Sequence, residues 1–422
     1  MFNKLRLFFH SKEWKLLWSF YVFTFLWSVT AIWMPIYVLF FQERGLTLGD
    51  IAIVFIAFRI GKLIFEVPTG VVADVYGRKF STLLGVVLTY LVWIAMAFSS
   101  GFEAILVLYF LMGVFVTLVT GAEEAWAYDW LKYNKSENLF TKLNSRGQMI
   151  AGAGYMIAPL IGGLLATKIA LSSIIIISGI LGVVITGLRV PVKDEHFVRG
   201  PHVKRSDFWL TLTSGMNFVR KTPLYLYLIV AATSTVIVYT VWKVIEQPFL
   251  FSIGVSYELI GIVISAMALT SILAPMISLR MENTLSNIDN ILVFGTIGSL
   301  LFISVYFIRN NSLTLVIPIL LFAWLFDNVT TPFFLTETNK LVPSKVRATV
   351  GSVRNMFYST AHLIGLVLVG IISEVFGVAA PILLIIPAGL FGTGFYLLYR
   401  SKIKNRHPRN ARARAQVLNR GV

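Results

Sequence analysis

Long apolar stretches separated by short polar loops dominate the chain. Twelve run near 16–41, 51–73, 81–99, 104–130, 147–168, 170–190, 224–250, 259–279, 288–308, 313–339, 348–373 and 379–399. Most reach the roughly 20 residues that cross a hydrocarbon core of about 30 Å. In that medium the backbone must satisfy its own hydrogen bonds, so only helices and closed barrels span it. The runs lack the period-two alternation of barrel strands, which predicts helices. Lys4, Arg6, Lys12 and Lys15 precede the first stretch, as in a signal peptide. That stretch is too long for a signal core and no convincing small-residue cleavage site follows, so it reads as a retained first helix.

The one long polar connection, 191–222, divides the stretches six and six. The halves also match at a shift of 208 residues: Asp129 falls on Glu337, Lys132 on Lys340, Arg146 on Arg354 and Gly162 on Gly370. Loop basics recur in any membrane protein, but the acidic and glycine pairs do not follow from that bias. The expected fold is an all-α membrane protein of 12 transmembrane helices, in two six-helix bundles related by pseudo-two-fold symmetry. The expected divisions are an N-terminal bundle over 1–190, a cytoplasmic linker over 191–222, a C-terminal bundle over 223–399 and a basic cytoplasmic tail over 400–422.

Charge placement sets the expected orientation. Of 36 Lys and Arg, only Arg44, Lys168 and Arg309 fall in one set of loops, and Arg59, Lys62 and Lys243 fall inside spans. The rest, Arg189 among them, gather in the other loops and at the two ends. Basic loops face the cytosol, so both termini are expected there, most simply in a plasma membrane. The net charge of +16 would point to nucleic acid in a soluble chain. With 57% hydrophobic and 13% charged residues, a soluble enzyme, a nucleic-acid binder and a disordered chain all fit poorly. The Arg-rich tail is expected to lie disordered on anionic lipid. The absence of cysteine removes disulfides and thiolate chemistry.

Residues 70–79 read GVVADVYGRK between the second and third spans. Gly70, Asp74, Gly77, Arg78 and Lys79 fit the G-x-x-x-D-x-x-G-R-K loop of the major facilitator superfamily, which the chain resembles throughout in topology. The resemblance implies a conformational latch, with Arg78 paired to Asp129 and Asp74 facing the start of the eleventh span near 346–350. Gly77 permits a tight reversal and Gly70 a close helix approach. Residues 154–163, GYMIAPLIGG, are similar to the drug:proton antiporter motif of the same superfamily through Gly154, Pro159, Gly162 and Gly163, with Ala158 in place of a glycine. Many proton-coupled relatives carry an Arg four residues before a Gly in the fourth span; here Tyr109 precedes Gly113.

Ionisable groups inside spans are costly and point to function. Arg59, Lys62 and Glu66 share one face of the second span. At about 1.5 Å per residue, Glu66 lies roughly 12 Å inward from Asp74 and Glu123 roughly 9 Å inward from Asp129. Glu66, Glu123 and Glu124 are therefore expected at similar depth, as a protonatable cluster or as an ion-pair network between spans two and four. Glu123 and Glu124 point about 100° apart, so one of them is expected to face a cavity. Trp27 and Trp33, on one helix, are likewise expected to place at most one ring there. Asp327 stands alone near mid-depth of the tenth span as a substrate or proton site, with His362 as its helper or as a packing residue. Lys243 and Glu246 read as a snorkelling or locally paired couple. Aromatic walls with acids suit an amphipathic, cationic solute.

There is no P-loop, H-E-x-x-H or nucleophile elbow, so the chain is expected not to be an enzyme, with no cofactor and no metal. The reading is a monomeric secondary transporter of small molecules working by alternating access, as proton-coupled efflux of amphipathic compounds or drugs. The alternative is an importer or facilitator of a polar solute such as a sugar, peptide or metabolite; a non-transporting membrane receptor or scaffold is the third class.

Overall fold

The computed structural model describes residues 12–190, 205–281, 284–343 and 346–418, and among them every regular element is helical. Among the described residues ten helices are long and apolar enough to cross a membrane, and Leu171–Gly187 is apolar but shorter. Leu48–Tyr76, 29 residues long, carries Arg59, Lys62 and Glu66 and completes the expected set. The described residues fall into two compact units. The first takes 12–190 and Val244–Ile272; the second takes 205–243 and 273–418.

The first unit begins with α1 (Lys12–Val29), a 3-10 turn at Ala31–Trp33 and α2 (Tyr37–Glu43). It continues with α3 (Leu48–Tyr76), α4 (Arg78–Phe98), α5 (Phe102–Thr117), α6 (Ala122–Tyr133), α7 (Phe140–Ala166) and α8 (Leu171–Gly187). Two expected spans are thus broken. The first is interrupted over 30–36, where Pro35 supplies no N–H to an α-helical ladder. The fourth is interrupted over 118–121, where Gly121 takes φ +80°, a conformation other residues rarely adopt. Local caps fix the ends of α3. Thr47 and Asp50 form a capping box at its start. Gly77, at φ +103°, ends α3 and opens α4.

Small residues set the packing. A Cβ on Gly154 would overlap the Ser28 hydroxyl, and one on Gly162 the Ile32 carbonyl oxygen, so α7 lies directly against α1 and the 3-10 turn. On the other side of α7, a Cβ on Gly163 would stand 3.0 Å from the Gly261 Cα. In the glycine-rich motif the small residues therefore fit two neighbours at once. Within its own unit Gly70 meets no such close neighbour.

In the second unit α9 (Arg205–Lys221) occupies the latter part of the polar connection. It is a packed helix rather than a loop: Gly215 sits against Thr349 and Val353, and Val219 is buried. The chain continues through α10 (Pro223–Ser252), α11 (Tyr257–Met281), α12 (Asn287–Ile308), α13 (Leu313–Leu341), α14 (Arg347–Phe376) and α15 (Ile385–Leu418). Helices α10 and α11 each run from one unit into the other. Its core gathers Leu228, Ile291, Val329, Phe333 and Tyr399. The expected disordered tail is helical as far as Leu418, in keeping with its Ala and Arg content. The basic residues Lys4 and Arg6, those of 191–204 and the chain after 418 lie outside the described residues.

Gly162→Val drives two methyl groups into the Ile32 backbone and is expected to lower the melting temperature of the detergent-purified protein by several degrees or to prevent folding. Gly152→Ala, on the same helix with only an ordinary contact to Ile272, stays within about 0.5 kcal/mol of the parent. Equal behaviour of the two variants contradicts the packing.

Candidate functional site: an aromatic cavity with acids at a helix start

A cavity of about 730 Å³ lies inside the first unit, between α1, α4, α5, α6 and α7. Both span breaks open onto it. The 3-10 turn re-aims the chain after α1, so Trp27 and Trp33 both line the cavity, where an unbroken helix would have turned one away. Trp33 lies against Trp93 at 4.6 Å between ring centroids. Trp93 meets Tyr109 edge-on at 6.4 Å, and Trp27 meets Tyr155 edge-on at 6.3 Å. Tyr109 stacks on Phe55 within this aromatic group.

The polar groups come from the irregular backbone and from α7. The Thr30 hydroxyl shares a 2.6 Å hydrogen bond with the Tyr90 hydroxyl, and Ser178 donates to the Thr30 carbonyl at 2.6 Å. Asn144 and Gln148 line the wall from α7. Glu123 and Glu124 occupy the first turn of α6, directly after Gly121. Carboxylates are favoured there by the unpaired N–H groups of a helix start. Both acids line the cavity, contrary to the expectation of one. The reason is the break: the pair begins a helix that opens at the wall instead of passing along it.

Their partners differ. Glu123 accepts a hydrogen bond from Arg189 Nη1 at 2.6 Å. Among the described residues no cation pairs with Glu124. Arg189, counted from sequence among the loop charges, is a correction: its side chain is 3% exposed against 39% for Glu123. Its guanidinium lies 3.9 Å from the Phe23 ring centroid, 4.8 Å from Trp126 and 5.0 Å from Phe20. Rings and carboxylate together offset the desolvation of that charge.

Of the three acids expected together, Glu123 and Glu124 line the cavity and Glu66 does not. Glu66 is exposed, and neither it nor Arg59 nor Lys62 lines the cavity. The face of α3 that packs on α5 carries Phe58 and Gly61 instead, against Gly113 and Phe110. The 70–79 loop does form its local pair, with Arg78 Nη1 2.5 Å from Asp129 Oδ2 and 3.2 Å from the Ala125 carbonyl oxygen. Lys79 donates to the Val190 carbonyl at 2.7 Å. Asp74 is half-buried at the end of α3.

In the second unit Glu337, the counterpart of Asp129, accepts from Asn287 at 2.9 Å, Lys340 at 2.7 Å and Tyr399 at 2.7 Å. Asp327 is half-buried on α13, and among the described residues no side chain bonds to its carboxylate. His362 Nδ1 is 2.5 Å from the Thr240 hydroxyl, where α14 packs on α10. Lys243 lies 5.3 Å over the Trp324 ring. Among the described residues no group of three His, Cys, Asp or Glu could hold a metal. Sequence reading missed Arg189 and its rings. A basic residue next to the apolar end of the sixth span, at Leu188, was the signal available.

A sequence profile of the Major Facilitator Superfamily matches residues 16–246 and 239–421. An uncharacterized MFS-type transporter of Bacillus subtilis (strain 168), YxaM, is 23% identical over 374 residues, covering 86% of this chain and 91% of that protein. The crystal structure of the nucleoside transporter NupG matches with a TM-score of 0.75 at 12% identity, covering 92% of this chain and 99% of that one. A bacterial homolog of the human lysosomal transporter Spinster, in an inward-facing and unoccupied conformation, matches at 0.71 with 15% identity, covering 93% and 98%. At these identities the solved structures show a shared fold.

Glu123→Gln leaves Arg189 buried without a carboxylate and is expected to cost about 3–5 kcal/mol of stability. Glu124→Gln is expected to cost under about 1 kcal/mol. Adding Arg189→Leu to Glu123→Gln recovers most of the loss. Unfolding of the parent and the three variants measures these losses; equal losses for the two single glutamate variants contradict the pairing.

Proposed function

The chain belongs to the major facilitator superfamily, and from that premise we propose that it exports small amphipathic organic cations in exchange for protons by alternating access. In this proposal both termini lie in the cytosol of a plasma-membrane protein, on the charge distribution of the loops. The reading is carried by one observation. A cavity walled by Trp27, Trp33, Tyr90, Trp93, Tyr109 and Tyr155 has the Glu124 carboxylate at its edge, with no cation paired to it among the described residues. Aromatic faces attract a cation through the ring quadrupole, and a carboxylate adds charge and a protonation site. The apolar wall gives a lipophilic solute a place to leave water.

Coupling requires a group that holds either a proton or the substrate. Glu124 and Asp327 are assigned that part here, as carboxylates without a bound side-chain cation. The glycine-rich stretch 154–163 supports the antiporter branch through Gly154, Pro159, Gly162 and Gly163. The Arg78–Asp129 pair supports a latch at the 70–79 loop, with Gly70, Asp74, Gly77 and Lys79 as its remaining members. A second reading, transport of an uncharged polar solute, is favoured by Asn144, Gln148, Thr89 and Thr120 in the same wall.

Proteoliposomes containing the purified protein are expected to move tetraphenylphosphonium against its gradient when a pH gradient is imposed. Glu124→Gln and Asp327→Asn are each expected to reduce that flux at least about ten-fold while the proteins remain folded. Flux that ignores the pH gradient and accepts uncharged sugars or nucleosides instead favours the second reading and overturns the first.

A further inference from the structure

We propose that Arg189 is a tethered competitor for the cation site, and that it selects organic cations over small hydrated ones. This rests on the reading of the aromatic cavity as the substrate site. Three observations combine. Glu123 faces the cavity yet is bound by Arg189 at 2.6 Å. The guanidinium sits among the rings of Phe20, Phe23 and Trp126 at 3.9–5.0 Å, the arrangement by which a protein recognises an organic cation. Phe20 and Glu123 belong to both the box and the cavity wall, so the two spaces share a boundary.

The side chain is also incompletely satisfied. Arg189 Nη2 is buried and has no hydrogen-bond partner among the described residues. The guanidinium is thus held chiefly by one carboxylate and by the faces of rings. Such contacts are open to exchange with another cation of similar shape and hydrophobicity.

The consequence is a threshold. A cation entering the cavity does not meet Glu123 as a bare carboxylate. It must compete with an internal guanidinium that already has ring contacts. A potassium or sodium ion, strongly hydrated and unable to repay the lost hydration with apolar contact, gains too little from Glu123 to displace it. A flat or arylated organic cation gains on the cavity's own aromatic wall, at Trp27, Trp33 and Trp93, and can draw Glu123 toward itself. Glu124, one residue on, holds the approaching charge meanwhile. Specificity then arises from what the site opposes as well as from what it attracts.

Equilibrium binding of tetraphenylphosphonium and of uncharged triphenylphosphine oxide to the purified full-length protein tests this. Arg189→Gln is expected to tighten tetraphenylphosphonium binding roughly ten-fold, to leave triphenylphosphine oxide binding unchanged, and to admit competition by potassium. The gain is expected to vanish in the Arg189→Gln, Glu123→Gln double variant. Arg189→Lys, which keeps the charge but lacks the planar fork, is expected to fall between, and it carries the test if Arg189→Gln does not fold. Unchanged or weaker cation binding in either variant, or an equal shift for the uncharged probe, overturns the proposal while leaving the substrate reading intact. If the parent and all variants bind neither probe, the substrate reading fails and this inference fails with it.

Discussion

Hydrocarbon offers no hydrogen bonds, so a helix that stops inside it must find partners for its backbone within the protein. The first unit contains two such stops, at 30–36 and at 118–121, and both lie at one cavity. The groups freed at the first are met by protein: Gln247 accepts from the Val38 N–H at 2.9 Å and donates to the Met34 carbonyl at 2.8 Å. At the second, Gly121 takes the positive φ of the break and the Leu118 carbonyl accepts from the Ser81 hydroxyl at 2.7 Å. Because these breaks are held, two tryptophans and two carboxylates reach the same space. Unbroken helices would have dispersed them.

The two adjacent acids then acquire different chemistry from their surroundings. Glu123 is committed to Arg189, whose charge is sequestered among rings. Glu124 is exposed at the cavity edge. One acid is thereby structural in the resting arrangement and the other is available. The second unit repeats the theme with different parts, since Glu337 is held by three donors while Asp327 keeps its carboxylate unbonded among the described residues.

Much of this was legible in the sequence. Apolar length gave the helices, and the GVVADVYGRK loop implied the contact between Arg78 and Asp129. The 208-residue shift led from Asp129 to Glu337, and each does bind a residue at the start of an earlier helix, Arg78 on α4 and Asn287 on α12. The rest was hidden for identifiable reasons. An apolar run looks the same whether its helix continues or turns, so the breaks went unseen; only Pro35 and Gly121 marked them. Arg189 reads in sequence as a loop charge because it ends the sixth span and opens the long connection, whereas its neighbours in space are Phe20, Phe23 and Trp126. Glu66 was placed with Glu123 from depth alone, and depth says nothing about which way a helix face turns.

Alternating access requires the cavity of the first unit to be a water-reachable chamber whose access changes during transport. The chain contains no cysteine, so single cysteines report on it directly. Ala151→Cys and Thr120→Cys, in the cavity wall, are predicted to react with a membrane-impermeant maleimide in inside-out vesicles, and to be protected by tetraphenylphosphonium. Val92→Cys, buried outside the wall, is predicted not to react. Wall cysteines that stay unreactive from both faces of the membrane, or that react equally with and without the cation, would contradict the account.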